Sequence, residues 1–387
     1  MIITPLLQLA ADKQASDLFF SVGAPINIKI DGIVMPVNAH KLDAETVKSI
    51  VYEMLTPAQI TQFETDLELN FAFYAPDIAN FRVNVFHQRG EVAMVIRHVR
   101  GNIQDIETLN LPLLLKELIL EKRGLVLVVG ATGSGKSSTL AAMIDYRNSV
   151  QTGHILTIED PIEYIFQHQK SIVNQREIGR DTLDYDVGLI NAMREAPDVL
   201  MIGEIRDHDT LKHALIFSQT GHLCLSTLHA NNSYHALNRI VNFFSYAARP
   251  SVLSDLSSSL RAIISQRLVR GVDGKLIPAV EVLLNSTLIA DMIKKDEIDK
   301  IRDVMQQSVS VGSQTFEQAL YKLFKAGKIT KEEALKNADS ASNLASLIDY
   351  TQTSKMKSFD SAQRAAAEQI KPTVPPTNFE NIKLNLD

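Results

Sequence analysis

The chain has 387 residues, 39 Lys and Arg against 45 Asp and Glu for a formal charge of −6, and one cysteine. That length allows about two to three domains, each able to bury its own core. The acidic balance argues against nucleic acid as a partner, and a lone Cys224 excludes disulfides within the chain and fits a reducing, cytoplasmic setting.

The first residues, MIITPLLQLAADKQ, carry no basic n-region and no small-residue cleavage site, so they do not read as a signal peptide. Nowhere do about 18 apolar residues run free of charge, and any membrane role is expected to be peripheral or through a partner. INIKIDGIVMPV then alternates, placing Ile26, Ile28 and Ile30 on one face, with Asp31-Gly32 supplying a tight hairpin turn. DAETVKSIVYEML brings Val47, Ile50, Val51 and Leu55 to helical spacing, and Thr56-Pro57 supplies a cap and first-turn proline for a second helix. FRVNVFH and EVAMVIRHV, joined through Gln88-Arg89-Gly90, complete a mixed α+β domain over residues 1–100.

RGNIQDIETLNLP has no clear period and reads as a linker over 101–115. Beyond it the continuous apolar runs LVLVV, ILTI, VLMI and LCLSTL alternate with helical patterns. Such runs suit parallel strands buried on both faces and predict a three-layer α/β core over 116–277. From about Pro278, LIADMIKKDEIDKIRDVMQQ, TFEQALYKLFKAGKI and TKEEALKNA can each form an amphipathic helix, giving a helical subdomain over 278–348. Residues 349–387 turn to Ser, Thr, Gln, Asn and Pro, with five basic and five acidic side chains, and read as a mobile tail without a polybasic anchor.

The chemistry centres on GATGSGKSS, that is Gly130, Ala131, Thr132, Gly133, Ser134, Gly135, Lys136, Ser137 and Ser138. An apolar strand pattern enters this loop and a helical pattern leaves it, the context a phosphate-binding loop requires. Glycines permit close backbone approach, a helix N-terminus favours anions, Lys136 can reach the β and γ phosphates, and Ser137 can ligate Mg²⁺. ATP and Mg²⁺ are therefore the expected cofactors. In DVLMIGEIRD an apolar run ends at Glu204, placed to hold the Mg²⁺ through water, whereas Asp198 reads as a turn residue. ILTIEDPIEY ends a third strand with Glu159, Asp160 and Glu163, carboxylates able to orient and deprotonate an attacking water. GHLCLSTLH sets His222 and His229 at the ends of a fourth strand, with His229 a candidate γ-phosphate sensor. A zinc site from His222, Cys224 and His229 is disfavoured because the strand holds its two ends too far apart for one ion. Between Glu163 and Glu204, the identity of the base stays open.

These blocks in this order resemble the secretion ATPase superfamily. Over roughly residues 1–345 the chain is similar to the type IV pilus retraction ATPases of the PilT and PilU group, through ASDLFFSVGAPINIKIDG, FRVNVF, RGLVLVVGATGSGKSS and HILTIEDPIEYI. STLHANN, VNQREIGRDT, VNFF and the added tail lean to the PilU branch, and STLIADMIKKDE keeps only part of the AIRNLIR-like helix characteristic of the PilT branch. A lone cysteine leaves no place for the tetracysteine zinc module usual among relatives that drive secretion or extension. The resemblance implies an α/β protein with a PAS-like N-terminal domain, a RecA-like ATPase domain and a C-terminal helical subdomain. It also implies a homohexamer in the cytoplasm at the inner-membrane base of the pilus machine, working on a platform protein with a PilT-type partner ring. By the same resemblance Arg82 and Arg97 match N-terminal-domain arginines that approach a neighbouring subunit's nucleotide. Such a fork of N–H donors on transition-state phosphate is worth about 10³ to 10⁵ in rate where measured. The expected function is ATP hydrolysis that powers or assists pilus retraction; a weakly hydrolysing accessory subunit and a nucleic-acid translocase are the alternatives.

Overall fold

The computed structural model describes residues 3–30, 32–76, 78–99, 103–307 and 312–349. The first sheet has six strands: β1 (Asp17–Phe20), β2 (Pro25–Ile30), β3 (Ile33–Lys41), β4 (Glu68–Ala75), β5 (Ala79–Gln88) and β6 (Glu91–Val99). They lie in the order β3-β2-β1-β6-β5-β4, and each neighbouring pair is antiparallel. Alternation decides which face is buried. Leu18, Ile96 and Val83 stand opposite one another on β1, β6 and β5 and are all buried. One residue along, Asp17, Arg97 and Arg82 form the next row and so point to the opposite face.

The apolar face belongs to a core that takes in Leu7, Val47, Ile50, Val51 and Phe63 from the helices Thr4–Asp12, Ala44–Met54 and Pro57–Asp66. Two of these helices begin at side-chain caps, the second where Thr56-Pro57 signals it. Asp43 accepts the Thr46 N–H at 2.7 Å, and Thr56 with Gln59 forms a capping box ahead of Pro57. Asp31, half of the expected hairpin turn, lies outside the described residues.

The second sheet has seven strands: β7 (Gly124–Val129), β8 (Gly153–Glu159), β9 (Ser171–Glu177), β10 (Val199–Ile202), β11 (Leu223–Leu228), β12 (Leu260–Arg270) and β13 (Leu276–Leu284), in the order β13-β12-β7-β11-β10-β8-β9. From β12 through β9 the pairing is parallel. Leu125, Leu127 and Val129 enter one apolar cluster and Val126 and Val128 enter another, so β7 is covered on both faces and must be apolar throughout. Helices Lys136–Val150, Tyr185–Ala192, His208–Gln219, Ser233–Asn242 and Arg249–Ser259 follow β7, β9, β10 and β11. Because the strands run parallel, the ends of β7, β8, β10 and β11 all deliver their loops to one edge of the sheet.

Ile106 and Leu111, within the stretch 101–115, are buried in this second core. Beyond it the helical pattern begins at Thr287 and not at Pro278, because Pro278 lies inside β13. The stretch 288–307 is also divided. Helix Thr287–Lys294, capped by Ser286, gives way to a 3-10 turn at Ile298–Lys300 and helix Ile301–Gln306. Asp296, at φ 59°, takes the left-handed conformation that breaks the run, while Ile293, Ile298, Ile301 and Met305 on either side of the break stay in one core.

A second compact unit contains Val269–Leu276 and residues 316–349. Its helices Phe316–Lys325 and Lys331–Asn337 bury Phe316, Leu320 and Ala334. Thr330 caps the latter helix by accepting the Glu333 N–H at 3.1 Å, and the Glu333 carboxylate accepts the Arg270 N–H at 2.9 Å. The tail expected from 349 lies, apart from Asp349, outside the described residues. Among the described residues no helix is long and apolar enough to cross a membrane.

Candidate active site

The loop after β7 turns into helix Lys136–Val150 through Gly135, whose φ of 90° a side-chain-bearing residue would resist. Gly130 is required for a different reason, close approach. A Cβ there would stand 2.4 Å from Ser134 Oγ and 2.6 Å from the Gln266 carbonyl oxygen. The Lys136 ammonium is buried and folded along the loop, donating to the Gly130 and Ala131 carbonyls at 2.9 and 3.0 Å. Burial pulls its pKa below the ordinary lysine range, against the opposing pull of Glu204 and Glu163. The buried Ser134 hydroxyl has no hydrogen-bond partner among the described residues, and an anion at this loop suits such a donor.

Glu159 ends β8 and is buried; it accepts the Thr157 hydroxyl at 2.7 Å and the Gln175 amide at 3.2 Å through the same oxygen. Burial pushes its carboxyl up to about 7. Asp160 follows, joined to Pro161 by a cis peptide. Glu163 stands farther out, its side chain 45% exposed, with Arg82 Nη1 at 3.7 Å. Glu204, after β10, is more enclosed at 19% exposure, and nitrogens face both of its oxygens: Arg206 Nε at 3.0 Å and His229 Nε2 at 3.4 Å. Arg206 also reaches Asp160 Oδ2 at 3.0 Å, tying the β8 and β10 loops together. Burial, then the nearby Lys136 charge, holds His229 below the usual histidine range.

A cleft of about 550 Å³ is lined by Lys136, Ser137, Glu159, Glu163, Glu204 and His229 together with Arg97 from the first sheet. Thr132, Gly133, Gly135 and Ser138 share its wall. Ala131 contributes a carbonyl to Lys136, as noted, and Ser138 Oγ lies 2.7 Å from the Tyr164 hydroxyl. Four loops of one sheet edge and a row of the other sheet thus meet in one place. His222, at the opposite end of β11, is turned to the Phe217 carbonyl and Thr220 hydroxyl and takes no part. Asp198 accepts the His154 N–H at 2.8 Å as a structural contact.

Arg97 donates from Nε to Asp17 at 2.9 Å. The resemblance implies that Arg82 and Arg97 approach a neighbouring subunit's nucleotide; here Arg97 lines the cleft of the phosphate loop of its own chain, and Arg82 faces Glu163 of its own chain at 3.7 Å. The geometry also brings in residues that sequence patterns did not single out: Arg206, Tyr164, Asp17, Tyr185 and Gln266. The Tyr185 hydroxyl lies 2.9 Å from where a Cβ on Gly203 would stand, which is why glycine precedes Glu204. Arg206, two residues after Glu204 in GEIRD, was within reach of sequence reading; Gln266 lies on an unrecognised strand and was not.

Ser137 and Glu204 offer a hydroxyl and a carboxylate in one cleft, hard oxygen donors of the type Mg²⁺ takes when substrate phosphates complete its shell. The residues present therefore fit a magnesium nucleotide.

The family described as type II/IV secretion system protein matches residues 1–370. The Type IV pilus ATPase PilU of Pseudomonas aeruginosa is 51% identical over 344 residues, which is 89% of this chain and 90% of that protein. The Type IV pilus retractation ATPase PilT of the same organism is 39% identical over 338 residues, 87% of this chain and 98% of that one. The crystal structure of the pilus retraction motor PilT with bound ADP superposes with a TM-score of 0.81 at 40% identity, covering 87% of this chain and 96% of the other. By the extent of these matches, the chain belongs to the type II/IV secretion system protein family.

Proposed function

We propose that this chain is an ATPase that works as a homohexameric ring and powers or assists type IV pilus retraction. The observation that carries the catalytic part is the convergence of Lys136, Glu159, Glu163, Glu204, His229 and Arg97 on one cleft beside a phosphate loop. The likeness to PilU and PilT supports the assignment to pilus retraction.

In this reading the backbone N–H groups of Gly130 to Ser138 and the Lys136 ammonium hold the β and γ phosphates. Ser137, and Glu204 through water, would hold Mg²⁺, which would supply charge neutralisation at the phosphates. Glu163 takes the proton of the attacking water as its oxygen bonds to the γ phosphorus and the bond to the bridging oxygen of ADP breaks. Glu163 suits that role better than Glu204. Both Glu204 oxygens face nitrogens, so protonating it would give up charge-assisted contacts, whereas Glu163 is half exposed and faces Arg82 at a looser 3.7 Å. Arg82 and Arg97 supply positive charge to the transferring phosphoryl group, and His229, against Glu204, responds to the γ phosphate.

Turnover in the ring acts on an inner-membrane platform protein from the cytoplasmic side, together with a PilT-type ATPase; nucleic acid is not a substrate. The test is ATP turnover by size-resolved hexamer, alone and with a PilT-type partner. Turnover by the isolated ring is expected. A ring that binds ATP without turning it over, yet raises the partner's rate, would make it a scaffold subunit instead.

A further inference from the structure

We infer that Gln266, on β12, is a positioning residue that braces the phosphate loop from behind and so sets nucleotide affinity. The inference rests on the nucleotide reading of the cleft and adds a residue to it. Ser265 is paired with Val129, so Gln266 comes level with Gly130, where the loop leaves β7. From there one residue lies close to the loop at Gly130 and Gly135 and bonds the following helix at Thr139. Its carbonyl oxygen lies 2.6 Å from where a Cβ on Gly130 would stand, and its carboxamide nitrogen 2.8 Å from the same point on Gly135. Its carboxamide oxygen accepts the Thr139 hydroxyl at 2.7 Å, in the first turn of the helix that follows.

Both partners of that hydrogen bond are buried, Gln266 at 4% exposure and Thr139 at 0%. Gln266 fills the space that side chains on Gly130 and Gly135 would need, which couples the glycines of the loop to a residue more than a hundred positions downstream. It does not line the cleft, whereas Leu268, two residues on and on the same face of the strand, does. The carboxamide therefore acts on the loop and not on the nucleotide. Without it, helix Lys136–Val150 loses a side-chain contact in its first turn, and the N–H groups that converge on phosphate lose their support. A loop ordered only on binding gives weaker binding and leaves the chemical step little changed.

The experiment uses the full chain with Gln266→Met, which keeps length and removes the amide, Thr139→Val, and the double variant. A fluorescent ADP analogue reports affinity, steady-state turnover gives KM and kcat, and melting without nucleotide reports the fold. Gln266→Met and Thr139→Val are each expected to weaken ADP binding and raise KM about tenfold, the factor that one buried hydrogen bond of about 1.4 kcal/mol carries. The double variant should be no weaker than the worse single one, with kcat within about twofold and melting little moved. Gln266→Glu, which keeps an oxygen for Thr139 but sets a carboxylate behind an anion site, should not recover the affinity. If the native chain fails to bind the analogue, the nucleotide reading falls. If the native chain binds and the variants bind equally well, or the two single effects add, the brace is refuted.

Discussion

Glu159→Gln should stabilise the protein in alkaline solution and hardly change it in acid. Burial raises the Glu159 carboxyl from its ordinary 4.5 to about 7 in the folded chain. Below about pH 4.5 the group is protonated whether folded or not, and it costs nothing. Between about 4.5 and 7 the unfolded chain loses this proton first, so folding must take the proton up and stability falls as pH rises. Above about 7 the full penalty is present, and at about 1.36 kcal/mol per pH unit it amounts to about 3 kcal/mol. Glutamine removes the charge while its oxygen can still accept from Thr157 and Gln175, the contacts seen at 2.7 and 3.2 Å. The Glu163 backbone N–H also bears on this carboxylate, and a carboxamide nitrogen placed there would offset part of the gain. Denaturant unfolding at pH 5 and pH 8 measures the difference. The variant should gain up to about 3 kcal/mol at pH 8 and less than about 1 kcal/mol at pH 5. An equal effect at both pH values, or a loss at pH 8, would refute the account of a carboxyl strained by burial.

Arg82→Ala is expected to lower kcat by at least about a hundredfold with ADP affinity nearly intact, as read by turnover and by titration of a fluorescent ADP; weakened ADP binding at unchanged kcat would place the side chain elsewhere. Rings mixed from Lys136→Ala and Arg97→Ala chains should recover no turnover, because Arg97 lines the cleft of its own chain; recovery in demonstrably mixed rings would show that the arginine serves a neighbour. Deleting residues 350–387 should leave ring mass and basal ATPase unchanged and weaken association with a PilT-type ring, by native mass spectrometry and co-sedimentation; dissociation into monomers would make the segment structural.

The parts of this chain legible in sequence are those whose burial is symmetric or whose caps are local. β7, β8, β10 and β11 read as unbroken apolar runs because helices cover both faces. The helix start at Pro57 is legible because Thr56 binds an N–H group three residues away. β9 and β12 escaped for the converse reason. SIVNQRE alternates between buried and exposed at one edge of the sheet, and LRAIISQRLVR mixes buried polar side chains, Ser265 and Gln266 among them, into its apolar positions. The loop, the carboxylates and His229 were found from motif and strand context. What joins them was not, because the Arg206 bridge to Asp160 spans 46 positions and the Gln266 contact to Thr139 spans 127. The split of 288–307 rests on one residue, Asp296, taking a left-handed conformation that side-chain periodicity does not register.

The most direct test of the central claim separates nucleotide binding from turnover in the size-resolved ring. Lys136→Ala should lose both ATP affinity and hydrolysis, because the ammonium grips phosphate. Glu163→Gln should bind ATP about as tightly as the native chain and turn it over at least about a thousandfold more slowly, because only the proton acceptor is gone. Glu204→Gln should lose turnover through the metal, with an affinity that depends on Mg²⁺ concentration. Normal turnover by Glu163→Gln alongside a Glu204→Gln ring that binds Mg-ATP normally and is inactive would move the base to Glu204, and undiminished turnover by Lys136→Ala would place ATP hydrolysis outside this cleft altogether.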